Sequence, residues 1–315
     1  MQQLAQTSPA TTAALAQLKS WGEVAREALA ANTQRAYRLD GERFSSWCKA
    51  QGVAALPASP EDVAAFLRAE SEAGRAVATV RRRAATIAAM HRAAGVANPC
   101  EAALVRLALK GLARSRGTAQ RQAAPITERE ALRIRARMGA TLRDARDLAL
   151  LLVGRDLLAR ASELVALRVE DVSAAEAGGA VVSLRRFKTA TAAAPVYIGP
   201  EARAALEAWL DRAGISSGPV FRAVHKSERL GARAISPRDV SRILKARAAE
   251  AELPAAAGVS SHSLRVGMAQ DLAAANLELP AIMQAGGWAS SAMVSRYTAQ
   301  QAATRGAVAR FYGRR

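Results

Sequence analysis

Apolar residues recur at helical spacing through the first third of the chain, interrupted by capping and turn residues. Asn32 has the character of an N-cap and opens a helix that carries Tyr37, Phe44 and Trp47 on one stripe. Ser59-Pro60-Glu61-Asp62 sets a cap, a first-turn proline and two acids at the positive end of a second helix dipole. Val63, Phe66 and Leu67 form its apolar stripe. A third helix turns Val80, Ala84, Ile87 and His91 inward and gathers Arg81, Arg82 and Arg83 near its start. A fourth spans about Cys100 to Ala113. The pattern predicts a compact all-helical domain over residues 20–115. Before it, residues 1–19 are polar and Ala/Thr-rich and read as a loose, flexible arm.

From Ala113 to Pro125 the apolar period disappears into small and basic residues, so residues 116–125 are expected to be a linker. Thr127-x-x-Glu130 is then a capping box that opens a second domain, residues 126–315. In one stretch of this domain the period drops to two. Residues 180–188 alternate apolar and polar, and Pro195–Gly199 follow a small-residue turn, which predicts a β-hairpin. Ser236-Pro237-Arg238-Asp239 starts a further helix that continues through Arg242 and Lys245. A last helix, from about Gln300 to Tyr312, puts Val308 and Phe311 on one side. The fold expected is mainly α with a small β-sheet: an all-helical domain followed by a mixed α/β one.

Charge narrows the partner. The 315 residues carry a net charge of +18, with a pI near 11.2, and the excess is spread along the chain, +8 over residues 1–124 and +10 over the rest. A basic surface gains free energy by displacing the counterions condensed on phosphates, so a nucleic acid is the expected partner. Charge in both halves suits a clamp better than a basic tail. Cys48, Cys100 and the three histidines lack zinc-ligand spacing, so no metal is expected. The cysteines are expected to be reduced packing thiols. With neither a membrane-length apolar run nor a signal peptide in view, a cytoplasmic, nucleoid-associated protein of bacterial, phage or plasmid origin is expected.

The candidate chemistry lies in the second domain. Phosphodiester transfer needs a nucleophile, cations on the non-bridging oxygens, and an acid for the leaving 5′ oxygen. Arginine suits the second task through its planar, permanently charged fork; lysine suits the third because its pKa can be lowered. Arg160 opens a helix as Arg160-Ala161-Ser162-Glu163. Lys188 ends the first hairpin strand. His262 and Arg265, three residues apart, are expected on one helical face. Trp288 follows Gly286-Gly287 and offers an indole N–H, and Tyr297 stands nine positions further on.

In this order the residues resemble the constellation of the tyrosine recombinases, the phage integrase family. The runs SHSLRVGMAQDLA, IMQAGGWAS, VSRYTAQ and GAVARF match one member almost phrase by phrase, and the likeness extends to SSWCKAQ, PEDVAAFL and MHRAAG in the first half. Trp288 stands where most of the family has histidine. Ala159 precedes Arg160 where the family often has leucine after glycine, a packing difference.

The resemblance implies a site-specific recombinase. Arg160 and Arg265 would bind the scissile phosphate, His262 and Trp288 would add hydrogen bonds, and Lys188 would be the general acid. Glu163 would orient the arginine and histidine, and Tyr297 would form a 3′-phosphotyrosine without cofactor, metal or ATP. The fold implied is a helical core-binding domain and a catalytic domain closing as a C-shaped clamp on duplex DNA with an inverted-repeat site. The assembly implied is a homotetramer that joins two sites through a four-way junction, the C-terminal helix of each subunit docking in trans. Arg81, Arg82, Arg83, Arg238 and Arg242 are the candidates for DNA contact.

Bland readings stand beside these. Tyr297 could be a packing tyrosine, Lys188 a surface-strand lysine, and the three-arginine run a solvated face. Tyr37, Tyr197, Tyr312, His91 and His225 read as structural or exposed. The rival functions are a type IB-like topoisomerase, which shares the chemistry but acts alone, a non-catalytic DNA-binding protein, and an RNA-binding protein.

Overall fold

The computed structural model describes residues 9–118, 122–176, 178–185, 193–305 and 307–313. It divides into two units, Met1–Arg121 and Gln122–Arg315.

The first unit is helical: α1 (Pro9–Ala28), α2 (Ala31–Gln51), α3 (Pro60–Glu72), α4 (Val77–Ala93) and α5 (Ala103–Arg116), with a 3₁₀ turn at Pro99–Glu101. Its core is the set of stripes read from the period: Phe44 and Cys48 of α2, Val63, Phe66 and Leu67 of α3, Val80, Ala84 and Ile87 of α4, and Val105 of α5. Phe44 and Phe66 meet edge to face at 5.0 Å between centroids. The Ser59 hydroxyl caps α3, accepting from Asp62 N–H at 3.1 Å. His91 is fully used: its Nε2 accepts from Ala58 N–H (3.0 Å), which leaves Nδ1 to donate to Ile87 O (2.8 Å).

Three expectations need correction here. The stretch expected to be a loose arm is helical from Pro9, because alanine favours helix even where the apolar stripe is thin; Ala14 and Ala25 are buried. Asn32 is not the cap of α2: the helix starts one residue earlier and Ala30 holds the N-cap position. The expected linker is shorter at both ends. Helix α5 runs to Arg116, and residues 122–126 belong to the second unit, where Ala124 N–H donates to Gly258 O and Ile126 N–H to Ser263 O, both at 3.0 Å.

The second unit begins with α6 (Glu128–Ala136), closed by the Thr127–Glu130 capping box, and α7 (Leu142–Asp156). The short α8 (Ala161–Val165) follows, then strands β1 (Val172–Ala174), β2 (Ala180–Arg185) and β3 (Ala193–Ile198), which form an antiparallel sheet in that order. The predicted hairpin is β2–β3, with Val181 opposite Tyr197 and Leu184 opposite Ala194. Lys188 lies outside the described residues. Next come α9 (Pro200–Ala213), the ribbon β4 (Arg222–Val224) and β5 (Leu230–Ala234), and α10 (Pro237–Glu250), capped by Ser236 with Asp239 reaching back. The unit ends with α11 (Ser263–Ala274), α12 (Leu279–Gly286), α13 (Ser291–Arg305) and α14 (Ala307–Tyr312). The last helix is therefore two: the one carrying Tyr297 starts at Ser291, and the terminal one begins only at Ala307.

The larger core gathers Leu150 and Leu151 of α7, Val182 and Ile198 of the sheet, Trp209 of α9, Leu244 of α10 and Leu264 of α11. A second cluster joins Leu158, Val266, Ala269, Ile282, Trp288, Val294 and Tyr297. It packs α12 and α13 onto the inner face of α11, and so places the candidate nucleophile.

Candidate active site

The α7–α8 corner positions Arg160. Helix α7 ends at Asp156, and Leu158 takes a left-handed conformation (φ 45°), unusual for a non-glycine residue, so that the chain turns sharply before α8. Arg160 then sits at the N-cap of α8, where Glu163 holds it twice: Oε2 accepts the Arg160 backbone N–H (2.9 Å) and Oε1 the guanidinium Nη1 (2.5 Å). The carboxylate is buried while the guanidinium stays partly accessible. One acid thus fixes both the backbone and the side chain of this arginine.

Arg265 is the hub. It is 2 % exposed, on the first turn of α11. Its guanidinium donates to Leu158 O through Nη1 and to Gly286 O through Nη2 (2.6 Å), and lies 4.4 Å over the Trp288 ring. Three segments distant in sequence are held by one side chain: the corner before Arg160, the turn before Trp288, and α11 itself.

The Gly286-Gly287 pair makes that arrangement possible. Gly287 takes the left-handed region (φ 61°) at the end of α12, and Trp288 N–H returns to Met283 O (2.9 Å). The indole then folds back over Gly286, where a Cβ would lie 2.2 Å from the ring. Trp288 in turn meets Tyr297 edge to face, with centroids 5.7 Å apart. Tyr297 is 5 % exposed.

His262 occupies the N-cap position of α11, and its side chain is exposed while Arg265 points inward. His262 nevertheless keeps helical backbone angles (φ −78°, ψ −16°), and its carbonyl accepts the Val266 N–H at 3.0 Å, so it lies in the same first turn as Arg265. They feel each other. Partial desolvation, and then the positive charges of Arg265 and Arg160, hold the His262 imidazole below its ordinary pKa. The structure thus brings Arg160, Glu163, His262, Arg265, Trp288 and Tyr297 into one linked neighbourhood.

Sequence reasoning missed the glutamines. The carbonyl of Tyr297 accepts from the buried Gln270 of α11 (Nε2, 2.8 Å) and from Gln122 (Nε2, 3.4 Å). It also missed Asp271, which takes Arg155 Nη2 and Glu128 N–H, each at 2.8 Å. Gln270 and Tyr297 are 27 positions apart and the other three contacts span more than 100, so no local motif announces them.

The arginines singled out for DNA contact divide. Arg81, Arg238 and Arg242 are exposed, and Arg242 pairs with Asp239 at 2.7 Å. Arg82 is half-exposed and bonds to Asp40 (2.9 Å). Arg83 is turned inward onto Glu70 and Asp40. The two thiols are free, Cys48 and Cys100, each pushed up to about 11, mainly by burial. Among the described residues there is no cluster of three or more His, Cys, Asp or Glu able to hold a metal ion, and no helix long and apolar enough to cross a membrane.

A helical unit followed by a mixed unit, with cationic donors gathered beside a buried tyrosine, is the arrangement of an enzyme that transfers DNA strands through tyrosine. The chain belongs to the phage integrase family and is a site-specific tyrosine recombinase: residues 125–304 match the family model, and residues 24–96 match the N-terminal SAM-like domain that accompanies it. An integrase/recombinase XerD homolog from Selenomonas ruminantium is 33 % identical over 282 residues, 85 % of this chain and 82 % of that one. Recombinase Cre of Escherichia phage P1 is 27 % identical over 310 residues, 90 % and 89 % of the two chains, a more modest likeness than the matching phrases suggest. In fold, the chain is similar to the XerH site-specific recombinase bound to a palindromic difH substrate (TM-score 0.66, 15 % identity, 92 % of this chain and 84 % of that one). It is likewise similar to a lambda integrase dimer bound to a core site (TM-score 0.60, 15 % identity, 90 % and 76 %).

Proposed function

We propose that this recombinase cleaves DNA with Tyr297, while Arg160 and Arg265 hold the two non-bridging oxygens of the scissile phosphate. The observation that carries the reading is the hub at Arg265, one guanidinium joined to the Arg160 corner, the Trp288 turn and its own helix. Attack by the phenolic oxygen on phosphorus forms a 3′-phosphotyrosine and expels the 5′ oxygen, which Lys188 protonates. His262, its pKa lowered by partial desolvation and by the two arginines, acts as a hydrogen-bond donor on the phosphate beside the Trp288 N–H. Glu163 keeps Arg160 oriented. The phosphotyrosine conserves the phosphoester bond, so attack by a second strand's 5′ hydroxyl reseals DNA without an outside energy source. Repeated in two successive pairs of strands, the exchange passes through a four-way junction.

Tyr297 is almost wholly covered, so α13 has to shift for its hydroxyl to meet phosphorus. Arg81, Arg82, Arg238 and Arg242 meet the phosphates of a duplex that carries an inverted-repeat site. Four subunits assemble on two sites. The exposed Val308, Phe311 and Tyr312 of α14 support docking of that helix on a neighbouring subunit. The protein acts in the cytoplasm, where its DNA is.

Covalent trapping tests the reading. Wild type and Tyr297→Phe are incubated with fragmented DNA of the source replicon and denatured, and the protein-linked DNA is sequenced. Adducts from wild type alone, sharing an inverted repeat at the break, are expected. Adducts from Tyr297→Phe would remove Tyr297 from its role.

A further inference from the structure

The first unit buries two acids against its arginines. Glu70, on the last turn of α3, is 1 % exposed and Asp40, on α2, is 3 % exposed. Removing a carboxylate from water costs several kcal/mol unless it is paired. Here the pairing is lavish. Glu70 takes Arg43 Nε at 2.7 Å and a contact from Arg83 Nη1, with Arg75 Nε at 3.9 Å. Asp40 takes Arg82 Nη2 at 2.9 Å, with Arg83 Nε at 3.6 Å and the Thr86 hydroxyl at 3.4 Å.

Four guanidiniums surround two carboxylates, a surplus of two positive charges. They are not equivalent. Arg83 spans both acids and is 11 % exposed, whereas Arg43, Arg75 and Arg82 are 51 %, 56 % and 52 % exposed. The inner arginine is a strut and the outer three form a rim. Arg43 is anchored through Nε, which leaves both of its Nη groups for another acceptor, and Arg82 is anchored through a single Nη.

Local structure builds the rim. Asp40 and Arg43 are one turn apart on α2, as are Arg82 and Thr86 on α4. Gly74, in the left-handed region (φ 79°), closes α3 so that Arg75 N–H returns to Glu70 O at 3.1 Å, which brings the Arg75 side chain back over the Glu70 carboxylate.

We propose that Arg43, Arg75 and Arg82 are a preset grip for the phosphate backbone of duplex DNA, and that Glu70 and Asp40, bridged by Arg83, are positioning residues for it. The proposal rests on the reading of the first unit as a DNA-binding unit, and it adds residues to that reading. A guanidinium fork matches two phosphate oxygens, and tethering it beforehand lowers the entropy lost on binding. Three forks on three separate segments suit a polyanion with repeating phosphates, because each contact on an open surface is driven by counterion release.

The test is the salt dependence of binding by the full chain to a mixed-sequence DNA duplex. Arg43→Ala and Arg75→Ala, measured at a temperature where each variant is folded, are each expected to lower the slope of log K against log salt by about 0.9, one phosphate contact. Lys49→Ala, an equal loss of charge on another face of α2, is expected to leave the slope alone. Glu70→Gln adds a positive charge yet is expected to weaken binding, since the forks lose their anchor. A folded Glu70→Gln protein that binds more tightly would overturn the positioning role, as would an unchanged slope for Arg43→Ala or an equal fall for Lys49→Ala. If Glu70→Gln does not fold, the arginine slopes alone decide. If wild type itself shows no salt-dependent duplex binding, the broader DNA-binding reading of this unit falls and the grip falls with it. Salt-dependent capture of an acidic protein, with DNA slopes unchanged, would reassign the rim to that partner.

Discussion

Gln270 donates to the backbone carbonyl of Tyr297 across 2.8 Å, and it does so from α11, the helix whose first turn carries Arg265. The helix proposed to hold the phosphate is thereby tied to the helix that carries the proposed nucleophile. Gln270 is buried, so its amide has little access to water as an alternative partner. Gln270→Met keeps the volume and removes the bond, at a cost to stability of about 1 kcal/mol. Misplacing a nucleophile by a fraction of an ångström costs far more in rate than in stability, and a fall in cleavage of roughly 10–100-fold is expected. DNA affinity should stay near wild type. Single-turnover cleavage and equilibrium binding, measured side by side, check this; equal losses in both would mark Gln270 as merely structural.

The two glycines before Trp288 should behave differently. At Gly287 a side chain meets backbone strain, because φ is 61°, at a cost of about 1–2 kcal/mol. At Gly286 a Cβ would sit 2.2 Å from the Trp288 ring, so the indole must leave its place over Arg265 and against Tyr297. Gly286→Ala is therefore expected to lose at least about tenfold more cleavage activity than Gly287→Ala at comparable melting temperature. Calorimetry and adduct yield on both variants decide it; matched activities would show that the ring's position is unimportant.

What could be read in the sequence was whatever is encoded locally. Ser59, Thr127 and Ser236 cap helices because a hydroxyl three residues before an acid satisfies first-turn N–H groups whatever the tertiary context. The hairpin declared itself by its change of period. Helix α1 did not, since a run of small residues with few buried positions leaves no stripe to detect. The direction of Arg83 was equally hidden: three consecutive arginines look alike until Glu70 and Asp40, distant in sequence, claim one of them. Gln270 and Gln122 carry no motif, and only folding brings them to one carbonyl.

His91 should make the first unit acid-sensitive. Its Nε2 must accept from Ala58 N–H, so the ring is neutral, and burial lowers its pKa. In the unfolded chain the ring takes a proton below about pH 6.5. Between that value and the lowered folded one the unfolded state binds more protons, so stability falls as the pH drops through this window and levels off below it. A plot of melting temperature against pH for wild type and His91→Gln checks the sign. The drop between pH 7 and the folded pKa should shrink in the variant, and an identical profile would assign the acid sensitivity to other groups, His262 among them, whose pKa is also lowered.

Lys188 stands outside the described residues, so its role is best tested by chemistry. An alkoxide leaves poorly without a proton, whereas a thiolate leaves readily because thiol pKa values lie near 8–9. If Lys188 protonates the 5′ oxygen, Lys188→Ala should slow cleavage of ordinary DNA by about 10²–10⁴-fold. It should cut a substrate with sulfur at the 5′ bridging position almost as fast as wild type does. The defect of Gln270→Met, which concerns the nucleophile and not the leaving group, should persist on the sulfur substrate. Running both variants on both substrates therefore separates proton donation from alignment. A Lys188→Ala defect that sulfur fails to relieve would remove Lys188 from the acid role and leave it as one more cation on the phosphate.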